Sequence, residues 1–135
     1  MDHLRWMHKC LCLILLLILL TGCGRVSVSG DPSCRVIYQY GDISFSETLT
    51  AEEASAVARI LNGKVITRYW FSTPSCGFDR NIALEVNGVR YAIACDQCAT
   101  LMVCGTINSY IELTREERDV LEAIFTARGG KFPCV

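Results

Sequence analysis

Histidine is nearly missing from this 135-residue chain: its two, His3 and His8, both lie within the first nine residues. From Lys9 onward no imidazole can act as a general base, complete a Ser-His-Asp or Cys-His set, or ligate zinc. A charge excess is missing too. Thirteen Lys and Arg stand against 14 Asp and Glu, net charge −1, with no basic stripe, which argues against nucleic acid as a partner. No block of like charge marks a disordered tail. There is no Gly-rich phosphate loop and no carboxylate pair at acid–base spacing. Asp79, Glu85 and Asp96 read as solvated turn and strand residues. An enzyme on this chain would have to work with carboxylates or thiolates, so the composition leans toward a non-catalytic domain with no cofactor.

A membrane-length apolar run is the next absence. The unbroken stretch is Cys10 to Leu20, eleven residues. As a helix it measures about 16 Å, against about 30 Å of bilayer hydrocarbon. It follows a start in which Arg5 and Lys9 outweigh Asp2, the layout of a secretory signal. It closes in Leu20-Thr21-Gly22-Cys23, which resembles the lipobox of bacterial lipoproteins. That resemblance implies cleavage after Gly22 and a diacylglycerol on the sulfur of Cys23. It further implies export to a cell membrane or outer membrane, with the lipid holding the protein to it. On this reading residues 1–22 are a cleaved signal, 23–33 the lipidated cysteine with a short tether, and 34–135 one domain. Once the signal is gone, 11 basic and 13 acidic residues remain.

The domain reads as α+β. "RVIYQY" and "ISFSETL" flank Gly41-Asp42 as a hairpin, with Tyr38 facing Phe45 and Tyr40 facing Ile43. Thr50-Ala51-Glu52-Glu53 is a capping box opening a helix with Ala54, Val57, Ala58 and Leu61 on one face, stopped at Asn62-Gly63. "KVITRYWFS" is β-branched and aromatic and reads as a strand. Alternation sends half of Arg68-Tyr69-Trp70-Phe71 into the core, so packing is expected there rather than a binding patch. Asn87-Gly88 is the strongest turn signal. It pairs Val86 with Val89, Leu84 with Tyr91 and Ile82 with Ile93, and sets Glu85 against Arg90. "TLMVC" and "SYIEL" give two more strands. Thr114-Arg115-Glu116-Glu117 caps a second helix with Val120, Leu121, Ile124 and Phe125 on one face. The repeated Leu-Thr-x-Glu-Glu at 49–53 and 113–117 reads as shared capping chemistry rather than duplication. The sum is an antiparallel sheet of five to seven short strands with two helices on one face, cross-linked by disulfides.

Cysteine is abundant, nine in all. Cys10 and Cys12 fall in the signal and Cys23 takes the lipid. Six remain as disulfide candidates: Cys34, Cys76, Cys95, Cys98, Cys104 and Cys134, an even number suited to a small exported domain. Extending the hairpin register puts Arg80 opposite Cys95 and Cys76 near Cys98. Cys76, Cys95, Cys98 and Cys134 are thus expected to cluster, leaving Cys34 and Cys104 as a separate pair. Three chemistries fit the cluster: structural disulfides, a four-thiolate metal site on Cys76, Cys95, Cys98 and Cys134, or a redox-active Cys95/Cys98 pair. The leading expectation is a membrane-anchored, non-catalytic lipoprotein domain that binds or scaffolds a protein or small-ligand partner. The alternatives are a thiol–disulfide oxidoreductase and a thiolate metal-binding protein.

Overall fold

The computed structural model describes residues 2–20 and 24–134, with the side chains of the first helix described over residues 6–15. Thr21, Gly22 and Cys23, the heart of the lipobox reading, lie outside the described residues. Helix α1 spans Asp2–Leu20. No helix among the described residues is long and apolar enough to cross a membrane.

The chain then forms β1 (Cys34–Tyr40), β2 (Ile43–Thr48), α2 (Ala51–Leu61), β3 (Thr67–Arg68), β4 (Phe78–Val86), β5 (Val89–Ala94), β6 (Thr100–Val103), β7 (Ser109–Glu112) and α3 (Arg115–Thr126). The strands make one antiparallel sheet in the order β2-β1-β4-β5-β6-β7-β3. Pairing carries one row of residues across it, Val36–Leu84–Tyr91–Val103, and all four are buried. Val57 and Leu61 of α2 and Leu121, Ile124 and Phe125 of α3 complete that core, so both helices cover one face. On the opposite face Arg35, Glu85 and Arg90 line up in register, and Arg90 Nε meets Glu85 Oε2 at 3.0 Å.

The first hairpin forms in the register its turn dictates, and the β4–β5 hairpin does so from Val86–Val89 to Ala83–Ala92, whereas the expected Ile82–Ile93 pair falls where the register shifts. Tyr38 stacks on Phe45 with ring centroids 5.2 Å apart. Asn87 (φ 49°) and Gly88 (φ 82°) adopt the left-handed conformations that the two-residue turn demands. Both capping boxes are complete: Thr50 with Glu53, Thr114 with Glu117. Arg128, just past α3, grips Glu53 at 2.8 Å and Glu47 at 2.9 Å, tying the end of one helix to the start of the other and to β2.

Four expectations change. The register of β4 shifts between Phe78 and Ala83, so Phe78 faces Ala94, and Gly77 rather than Arg80 lies opposite Cys95. The strand expected over 64–72 shrinks to Thr67–Arg68, because β7 offers it only Tyr110 and Ser109 before the chain turns at Asn108. Trp70 and Phe71 therefore run past the sheet and stand in solvent. Val120 is exposed, and the inward position one turn before Leu121 belongs to Arg118. Finally, the start of the expected tether packs onto the domain: Arg25 pairs antiparallel with Val65, and Val26 is buried in the core.

Candidate functional site

The cysteines gather where β5 ends and β6 begins. Cys95 closes the β5 side, and its N–H donates to Gly77 O at 2.7 Å, drawing the chain before β4 alongside. That contact places Cys76, one residue earlier, within reach of Cys98. The two are joined as a disulfide with Cα atoms 6.1 Å apart, closing a 22-residue separation. Asp96 shapes the turn between them. Its Oδ1 accepts from Cys98 N–H at 2.9 Å and its Oδ2 from Gly77 N–H at 3.3 Å.

Arg118 fixes the same segment from the helix layer. It is only 4% exposed. Its guanidinium donates to the carbonyls of Cys98 (2.9 Å), Ala94 (3.1 Å) and Asp96 (2.5 Å), and to Glu122 Oε2 at 2.5 Å. A planar five-donor fork suits this task, and the charge is balanced by Glu122 one turn on. The Phe132 ring lies 5.7 Å from the guanidinium carbon. Phe132 is held there because the buried Tyr38 hydroxyl exchanges hydrogen bonds with Lys131, accepting from its N–H and donating to its carbonyl.

The tail thus returns to the sheet, and Cys134 N–H donates to Cys95 O at 3.0 Å. Both thiols are buried. Burial, followed by a hydrogen bond between the two sulfurs, pushes the Cys134 thiol up to about 12. A thiol in that range stays protonated near neutral pH and is a poor nucleophile.

Four of the six candidates are therefore brought together as two pairs. Cys76 bonds Cys98, and Cys95 lies against Cys134, so the two cysteines of the CxxC face different partners and are not joined to each other. Among the described residues, one group of three metal-ligating types falls within 4.8 Å: Cys76, Asp96 and Cys98. Its two sulfurs are already spent on the disulfide, and Cys95 and Cys134 are outside it, so the four sulfurs do not converge on one centre. Cys34 and Cys104 are not brought together. Cys34 points into the core from β1, whereas Cys104 directly follows β6, two intervening strands away, in the row of Arg90 on the other face. Burial raises both thiols.

Arg118 was missed by pattern reading, although its signal was present: it sits three and seven residues before Leu121 and Phe125, on the apolar stripe. A charged residue on such a stripe must find buried partners, and here they are carbonyls. Elsewhere, a groove of about 410 Å³ between residues 28–32 and the small-residue side of α2 holds Asp31 and Arg59. Scans of family models, of curated proteins and of solved structures found no match to this chain.

Proposed function

We propose that this protein is an exported lipoprotein, anchored through a diacylglycerol on Cys23, that holds a small non-catalytic domain at a cell membrane or outer membrane to bind or scaffold a partner. The observation that carries the reading is Leu20-Thr21-Gly22-Cys23 at the close of a short apolar run with a positive start. The Cys76–Cys98 bond supports an oxidising compartment. The divided CxxC and the carbonyls clamped by Arg118 support a structural role for the cysteines over a redox one.

The adjacent Cys95 and Cys134 form a second bond in the exported protein on this reading. The two thiols give two hydrogens and two electrons to a disulfide oxidant, which becomes a dithiol. The test is the intact mass of the full chain recovered from membranes of a bacterial host. The expected species lacks residues 1–22, gains a diacylglyceryl group, and rises by about 4 Da on full reduction, two hydrogens per disulfide. Cys23→Ala abolishes lipidation. An unprocessed, unlipidated wild type overturns the anchor, and a rise of about 2 Da overturns the second bond.

A further inference from the structure

The three most exposed large apolar side chains among the described residues are neighbours. Trp70 is 76% exposed, Ile107 80%, and Phe71 fully. Tyr69 N–H donates to Asn108 O at 2.9 Å, which zips β3 onto the turn between β6 and β7 and leaves Trp70 beside Ile107. Between them lies an open groove of about 490 Å³. The Arg68 guanidinium sits 5.6 Å from the centre of the Trp70 ring. Arg68 is the one charged residue in 65–78, the next acid is Asp79, and residues 101–109 carry no charge at all. The tip is apolar, aromatic and weakly cationic.

The start of the domain runs toward the same place. Val26 N–H donates to Lys64 O at 2.9 Å, Arg25 pairs with Val65, and Ile66 N–H donates to Gly24 O at 2.8 Å. The pairing is antiparallel, so the chain followed backward from Val26 to Gly24 advances beside 64 to 66, toward β3 and Trp70. Gly24, next in sequence to the proposed lipid-bearing Cys23, thus lies beside Ile66, four residues before Trp70.

We infer that Trp70, Phe71 and Ile107 seat this domain on the bilayer that holds its own anchor, with Arg68 at the level of anionic headgroups. Aromatic rings prefer the water–membrane interface, where an apolar body and a wet rim are both satisfied, and a nearby cation gains from anionic lipid. The seating gives the domain a fixed orientation. Cys98 precedes β6 and Gly105 follows it, so the disulfide end is turned away from the membrane, toward a partner. The nearness of the lipid rests on the anchor proposed above, whereas the exposed tip does not.

The test uses the full chain carrying Trp6→Phe, which leaves Trp70 as its single tryptophan. The protein is recovered from membranes and reconstituted in vesicles of phosphatidylethanolamine and phosphatidylglycerol, with or without brominated acyl chains. Trp70 emission is expected to fall at least twofold in brominated vesicles, and Phe71→Ser with Ile107→Ser to remove at least half of that quenching. Equal emission in both vesicles overturns the inference. So does protection from acrylamide without bromolipid quenching, which assigns the tip to a second copy or another protein. The intact mass separates the two proposals. A lipidated protein without quenching loses the seating and keeps the anchor, and one with neither loses both. Quenching without lipid keeps the seating and removes the anchor.

Discussion

At one end of the sheet the carbonyls of Ala94, Asp96 and Cys98 all accept hydrogen bonds from a single buried guanidinium, beside a disulfide. At the other end three large apolar side chains have almost no protein against them. Both ends are places where strands stop and main-chain groups leave the ladder, and they are finished in opposite ways. The first spends a cation, a carboxylate, two aromatic rings and four cysteines on holding one conformation. The second spends nothing on holding Trp70 and Phe71, whose substitution should cost the fold little. Stability is concentrated where the chain must close on itself, and apolar surface is left bare where it need not.

The largest effect should come from Arg118. Arg118→Met leaves three inward carbonyls without their donor and Glu122 without its cation. A loss of about 3 kcal/mol or more in urea unfolding is expected. Arg118→Lys should recover less than half, because an ammonium cannot span carbonyls at 94, 96 and 98 as a planar fork does. If Arg118→Met unfolds like the parent, the closed end is not what holds the sheet.

Opening the Cys76–Cys98 bond comes next. At a sequence separation of 22, the loop-closure contribution is about 3 kcal/mol. The Cys76→Ser, Cys98→Ser pair should lower the unfolding free energy measured in urea by that amount. Hydrogen exchange should rise first over residues 94–100, while the β1–β2 hairpin stays protected. Uniform loosening of both regions would erase the contrast between the ends.

A smaller, pH-dependent effect belongs to Arg128, which joins the two helices outside the cysteine end. Its hydrogen bond to Glu53 leads the causes that hold the Glu53 carboxyl at about 2, below its ordinary 4.5. The folded value is the depressed one, so the stabilisation is fully present above about pH 4.5 and is lost as pH falls toward 2. With Glu53 about three-quarters buried, about 2 kcal/mol is at stake after allowance for solvent screening. Glu53→Gln should flatten the urea midpoint over that window and leave its slope unchanged above pH 5.

Different parts of this contrast were visible in the chain to different degrees, for physical reasons. Turns and caps are local: Gly41-Asp42, Asn87-Gly88 and the two Thr-x-x-Glu boxes act over four residues, so their hairpins and helices were legible. The cysteine cluster was half legible. Cys76 does reach Cys98, but the assumed register ran straight through β4, where a shift between Phe78 and Ala83 changes which residue faces Cys95. No local pattern announces such a shift. The separation of Cys34 from Cys104 needed the strand order, which is a property of the whole sheet. Trp70 and Phe71 were misread because β-propensity describes a fit to a pleated surface, and at 70 and 71 no neighbouring strand supplies one.

The smallest effect on stability should therefore be the sharpest on the comparison. Trp70→Ser removes the second most conspicuous aromatic surface of the domain, yet its ring meets mainly Arg68 and solvent. An aromatic in a packed core costs about 3–5 kcal/mol to truncate, whereas a surface residue away from such packing shifts stability by about 0.5 kcal/mol or less. The unfolding free energy of Trp70→Ser in urea should stay within that narrower band, and that of Phe71→Ser should do the same. A loss of several kcal/mol would mean that the open end is packed in solution, with the 69–77 loop folded onto the sheet. The two ends would then be closed alike, and the apolar tip would belong to the fold.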